Sequence, residues 1–87
     1  MSYAYEVEKR FVFTDEGQRQ FLRIRDRVNN HLRVAGACSM SAAIAGESGS
    51  SWEMMACVDR LIELGELREI TGPNVAGQHR VFVGTKR

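Results

Sequence analysis

Residues 46–53, GESGSSWE, separate two stretches that both carry helical periodicity, and what this segment forms limits every reading of the chain. A linker, a phosphate cradle, a nucleophile turn and a tight corner between helices can all have such a composition. A linker is out of place between two apolar periodic flanks. A P-loop needs G-x-x-x-x-G-K-[ST], and no lysine lies between Lys9 and Lys86. Gly46-Glu47-Ser48-Gly49-Ser50 follows G-x-S-x-G only up to its missing last glycine. That nucleophile turn also needs a preceding strand and a large α/β sheet, for which this chain has no room. A corner remains, with Gly46 or Gly49 allowing the bend. Ser50 and Glu53 have the S-x-x-E spacing of a capping box, which starts a helix near Ser51.

That helix, expected over 51–64, puts Met54, Cys57, Val58, Leu61 and Leu64 on one side and stops at Gly65. Upstream, Phe21, Ile24, Val28 and Leu32 recur at spacings of three and four, with Leu22 widening the stripe. They predict an amphipathic helix over 15–34, capped by Thr14, acidic in its first turn at Asp15 and Glu16, and stopped by Gly36. Ser39 offers a cap for a short helix over 39–46. At the N-terminus, Tyr3, Tyr5, Val7, Phe11 and Phe13 alternate, interrupted by Lys9, and period two predicts a strand over 3–13. From Glu66 the pattern returns to period two. Leu67 and Ile70, then Val81 and Val83, flank the turn-rich TGPNVAGQH and predict a hairpin over 66–84 with a long tip.

An 87-residue chain with 44% apolar residues fits one small packed domain. No apolar run approaches the about 18 residues of a membrane span, and MSYAYEVEKR has no hydrophobic signal core, so a cytoplasmic, membrane-free protein is expected. The only cysteines, Cys38 and Cys57, sit among small apolar neighbours and read as buried reduced thiols. With His31 and His79 they make no metal-ligand spacing, so neither a metal nor another cofactor is expected. No Ser/His/Asp set or carboxylate pair is justified by spacing, and an enzyme is not expected. The formal net charge of +1 lacks the basicity of many nucleic-acid binders.

The order of elements, with SSWEMMACVDRLIELGELREI followed by HRVFV, resembles a winged helix–turn–helix domain over about residues 15–84. Leu61 and Gly65 stand where that family's third helix ends, and Leu67 where the first wing strand turns inward. The implied fold class is α+β: strand, helix, helix, helix and β-hairpin, the N-terminal strand being an addition. That strand would pair with the wing or with another copy of the chain. The family's short strand between its first two helices has little room between Val34 and Ser39.

The resemblance implies DNA binding in transcriptional regulation, with the third helix in a major groove and a dimer to lengthen the site. Ser50, Ser51, Trp52, Met55 and Arg60 would form the DNA face of that helix, with Asp59 beside them. Asn74, Gln78, His79 and Arg80 would approach DNA from the wing, and Arg19, Arg23, Arg25 and Arg27 offer further basic contacts. The arginines of the first helix have a plainer reading, a solvated face paired with Asp15, Glu16 and Asp26. The helix itself is chemically odd for DNA, since a tryptophan, a methionine, Glu53 and Asp59 replace the usual cations and amides. A second reading follows: a protein–protein interaction module, an adaptor or an inhibitor such as a mobile element carries, using the Trp52/Met55 face. Trp52 tucked into the core would remove that patch.

Overall fold

The computed structural model describes residues 3–70 and 79–85 of the chain. They form an α+β unit in which helices pack on one side of a small antiparallel sheet. Residues 5–13 are helical and Ala4 is an extended cap, a correction to the strand expected over 3–13: α1 spans Tyr5–Glu8 and a 3-10 segment follows at Lys9–Phe13. The alternation misleads because Val7 and Phe13 face solvent, while Tyr5 and Val12, seven residues apart, face the protein. Seven residues are close to two helical turns. A strand here would also need a neighbour, and the sheet of the described residues is built without this segment.

Helix α2 spans Asp15–Ala35, and the Thr14 hydroxyl accepts from the Gly17 amide at 3.0 Å as its N-cap. Its buried face carries Gly17, Gln20, Phe21, Ile24 and Val28. Leu22, expected to widen that face, is largely exposed. It sits on the far side of the helix from Ile24, about 200° away at 100° per residue. Gly17 is where α2 meets the N-terminal segment: a Cβ there would come within 1.8 Å of the Phe11 carbonyl oxygen.

Strand β1, Cys38–Ser39, is only two residues long, which is how it fits the short space between Val34 and Ser39. Cys38 pairs with Phe82 and Ser39 with Val81. Helix α3, Met40–Ala43, is a single turn, shorter than the stretch expected over 39–46; Ser39 caps it by accepting from the Ala42 amide at 3.1 Å. The chain then turns through Gly46 at φ 82° and Gly49 at φ 111°, left-handed values that favour glycine and make the corner.

Helix α4 spans Ser51–Glu63. Its start was expected to rest on a capping box, but the Ser50 side chain makes no cap bond. Backbone bonding from Met54 to the Ser50 carbonyl and the burial of Met54 and Met55 hold the first turn instead. At the other end, Glu66 donates to the Leu61 carbonyl and Gly65 to that of Ile62, the paired bonds of a Schellman motif. Strands β2, Leu67–Ile70, and β3, Val81–Gly84, follow, with Leu67 opposite Gly84 and Ile70 opposite Val81. The strand order is β1-β3-β2. The expected hairpin tip, with Asn74 and Gln78, lies outside the described residues.

The core lies between α2, α4 and the inner face of the sheet. Ile24, Val28, Met40, Val58, Leu61 and Phe82 are all but fully buried there, together with Val12 from the N-terminal segment. Each such side chain contributes about 1.5–3 kcal/mol of hydrophobic stabilisation. The N-terminal segment is thus part of the core that positions α4.

Candidate functional site

The side of α4 expected to face a partner is determined by its core side. Met54, Cys57, Val58 and Leu61 point inward, as their spacing predicts, whereas Leu64, expected on the same side, is exposed at the C-cap because the helix ends at Glu63. Trp52, Asp59 and Glu63 fall about opposite at 100° per residue. Residues 3–13 cover that opposite side. The Tyr3 ring meets Trp52 edge-on at a centroid distance of 6.5 Å, and its hydroxyl donates to Asp59 Oδ2 at 2.6 Å. The Tyr5 hydroxyl donates to Glu63 Oε1 at 2.5 Å, and Lys9 Nζ lies 3.6 Å from Glu63 Oε2. Burial and the carboxylate partners hold both phenols well above their ordinary pKa. Met55 and Ala56, between these contacts, are buried. The expected outward patch of Trp52 with Met55 is therefore covered: Met55 is enclosed and Trp52 is half-buried beneath Tyr3.

Four of the cations assigned to DNA, Arg23, Arg27, Arg60 and Arg80, are held by acids of the chain itself. Arg80 reaches Asp59 Oδ1 at 2.7 Å and Glu69 Oε1 at 2.8 Å, and its side chain is 13% exposed. Its guanidinium stands 5.2 Å from the centre of the Phe82 ring, and Glu69, then Asp59, keep it firmly protonated. Arg80 thereby joins the foot of β3 to β2 and to α4. Arg60 pairs with Glu63 at 2.9 Å and lies over the exposed Phe13 ring. Tyr5, then Arg60, pull the Glu63 carboxyl below its ordinary pKa.

On α2, Arg23 and Arg27 each pair at 3.0 Å with Glu47, not with the Asp15, Glu16 and Asp26 expected for a solvated face. Glu47 comes from the corner at residues 46–53, and its side chain is 4% exposed. Gln20 donates to the same carboxylate at 3.0 Å and Arg27 to the Ala43 carbonyl at 2.8 Å. Arg23 above all, together with Gln20 and Arg27, lowers the Glu47 pKa to about 2 against the opposing effect of burial. The corner is bolted to α2 by this cluster.

The expected site residues thus scatter into distinct environments. Ser50 and Ser51 are exposed at the start of α4, and His79 is exposed ahead of β3. Trp52, Met55, Arg60 and Arg80 are engaged inside the molecule; Arg23 and Arg27 serve the corner, and Arg19 and Arg25 make no ion pair among the described residues. Asn74 and Gln78 lie outside the description. Both thiols are free and buried, and desolvation raises them, Cys57 to about 12, which keeps the thiolate away from neutral pH. Sequence reasoning missed the roles of Tyr3, Tyr5 and Glu47. Their only signal was a tyrosine pair at i,i+2 and an acid set among the small residues 46–51. No helix of the described residues is long and apolar enough to cross a membrane. Comparison of the chain with protein-family models, curated proteins and solved structures finds no match.

Proposed function

We propose that this domain is a protein-interaction module of winged-helix shape, and that the outward face of α4 is a polypeptide-binding face. One observation carries this reading. That face, made of Trp52, Met55, Asp59 and Glu63, is apolar and acidic, and it is occupied by the aromatic segment 3–13 of the same chain. Such a surface suits aromatic anchors and hydroxyl or ammonium donors; it repels phosphate. The winged-helix shape is supported by the element order and by the strand order β1-β3-β2.

Trp52, the only tryptophan, reports directly on the face. Tyr3→Ala with Tyr5→Ala is expected to shift its emission to the red, and a synthetic peptide with the sequence of residues 3–13 to reverse that shift. Random duplex DNA at low salt is expected to leave it unchanged. A peptide without effect, together with DNA binding that falls steeply with salt, overturns the reading.

DNA contact is a second reading, favoured by the exposed Ser50 and Ser51 at the N-terminus of α4 and by the unpaired Arg19 and Arg25 on α2. It requires salt-steep binding that weakens in Arg19→Ala and Arg25→Ala. Equal binding by those variants removes it.

A further inference from the structure

All eleven acidic side chains of the sequence lie among the described residues. Five of them, Glu6, Glu47, Asp59, Glu63 and Glu69, pair with Lys9, Arg23, Arg27, Arg60 and Arg80, and none of the eleven pairs with Arg33 or Arg68. Arg33 reaches only the Asn30 side-chain oxygen. These two uncompensated cations line one open cavity of about 520 Å³, whose remaining walls are Leu32, Gly36, Val83 and Gly84. Leu32 and Arg33 come from the last turn of α2, and Gly36 is its cap.

The sheet supplies the other side. Leu67 and Phe82 point into the core, so Arg68 and Val83, which face each other across β2 and β3, lie on the outer face. The next outer pair is Ile70 with Val81, and Ile70 is 43% exposed. An aliphatic strip therefore leads away from the two arginines along the strands.

We infer that this cavity binds an acidic, aliphatic segment of a partner polypeptide, placing a carboxylate between Arg33 and Arg68 and an aliphatic side chain on Leu32 and Val83. The inference rests on the protein-binding reading above but uses a different face of the molecule. Charge complementarity selects an anion, since arginine forks match carboxylates and no acidic side chain supplies one among the described residues. The apolar floor and its continuation through Ile70 and Val81 select a ligand with an aliphatic body. A bare phosphate would leave that floor wet. Duplex DNA draws its affinity from many phosphate contacts, and two arginines around an apolar floor are a poor match.

Nuclear magnetic resonance of the full chain, labelled with nitrogen-15, tests this with four probes. They are a capped peptide of alternating Glu and Val, its Gln-for-Glu counterpart, inorganic phosphate and a random duplex. The Glu peptide is expected to move the backbone signals of Arg33, Gly36, Arg68 and Gly84 in a saturable way. Affinity should drop about tenfold or more for the Gln peptide and in R33Q and R68Q, as expected for loss of a charge-assisted bond. Unchanged distant signals in both variants show that they remain folded. No movement at millimolar peptide, or equal affinity for the Gln peptide, overturns the inference. Equal binding of phosphate makes this a simple anion site, and preferential binding of the duplex a nucleic-acid contact; either overturns it too. The α4 reading has its own readout in Trp52 emission, so each can fail without the other.

Discussion

Glu47 has the smallest side-chain exposure of any ion-paired group described in this chain, and it organises the corner that begins α4. Its partners come from residues 20, 23 and 27, so nothing in local spacing reveals them. The solvated reading of the α2 arginines follows from Asp15 and Glu16 within one turn of Arg19 and Asp26 within one turn of Arg23. The fold brings a better desolvated acid to them. Because the folded-state pKa of Glu47 is lowered from 4.5 to about 2, its contribution is complete above pH 4.5 and is lost as pH falls towards 2. Glu47→Gln keeps the shape and removes the charge. It is expected to cost about 1–3 kcal/mol at pH 7, the cost of losing charge-assisted bonds at a buried acceptor whose partners can partly rehydrate. Urea midpoints measured from pH 6 to pH 2 should fall less steeply in the variant than in the parent protein. Equal slopes would mean that Glu47 is not held as described.

At the scale of elements, the caps were legible where a side chain carries the bond and misleading where it does not. Thr14 and Ser39 cap α2 and α3 through their hydroxyls, whereas Ser50 at the start of α4 makes no such bond. Ser39→Ala is therefore expected to cost about 1 kcal/mol, and Ser50→Ala less than about 0.5 kcal/mol, in chemical denaturation. The same contrast separates the N-terminal segment from the rest. Long stripes such as those of α2 and α4 specify a helix by repetition, but five alternating residues in eleven do not separate a strand from two short helical turns. Only tertiary packing decides, and here Gly17 shows how close that packing is. In an exposed helix interior Gly→Ala would stabilise by about 1 kcal/mol. At position 17 the new methyl group would strike the Phe11 carbonyl, a backbone atom that cannot move without lifting the 3-10 segment. Gly17→Ala is expected to destabilise by about 1–3 kcal/mol, the usual range for overpacking, and to shift Trp52 emission to the red as Tyr3 moves. A stabilised variant with unchanged emission would contradict the packing of the N-terminal segment on α2.

The whole molecule is held by a set of contacts that run between its ends, and Arg80 is their hub. Its guanidinium links the start of β3 to Glu69 on β2 and Asp59 on α4, and Asp59 in turn accepts from Tyr3 near the N-terminus. The winged-helix resemblance placed Arg80 in a wing and implied a DNA contact for it. The α4 acid that it meets, twenty-one positions upstream, was visible only as an unsuitable residue on a recognition helix. These two anomalies explain each other: Asp59 suits a helix whose outer face holds a tyrosine and an arginine of its own chain. Arg80→Ala would leave two partly buried carboxylates facing each other without their cation. Breaking such a pair costs about 3–5 kcal/mol when fully buried. Here Glu69 keeps some solvent, so about 2–4 kcal/mol is expected. Arg80→Ala with Asp59→Asn and Glu69→Gln removes the charges together and should recover a large part of the loss, because the penalty belongs to the stranded carboxylates. Denaturation of the single and triple variants gives both numbers. If Arg80→Ala unfolds at the same denaturant concentration as the parent, Arg80 is a solvated surface residue and the junction of the β2–β3 strands, α4 and the N-terminal segment does not exist in solution.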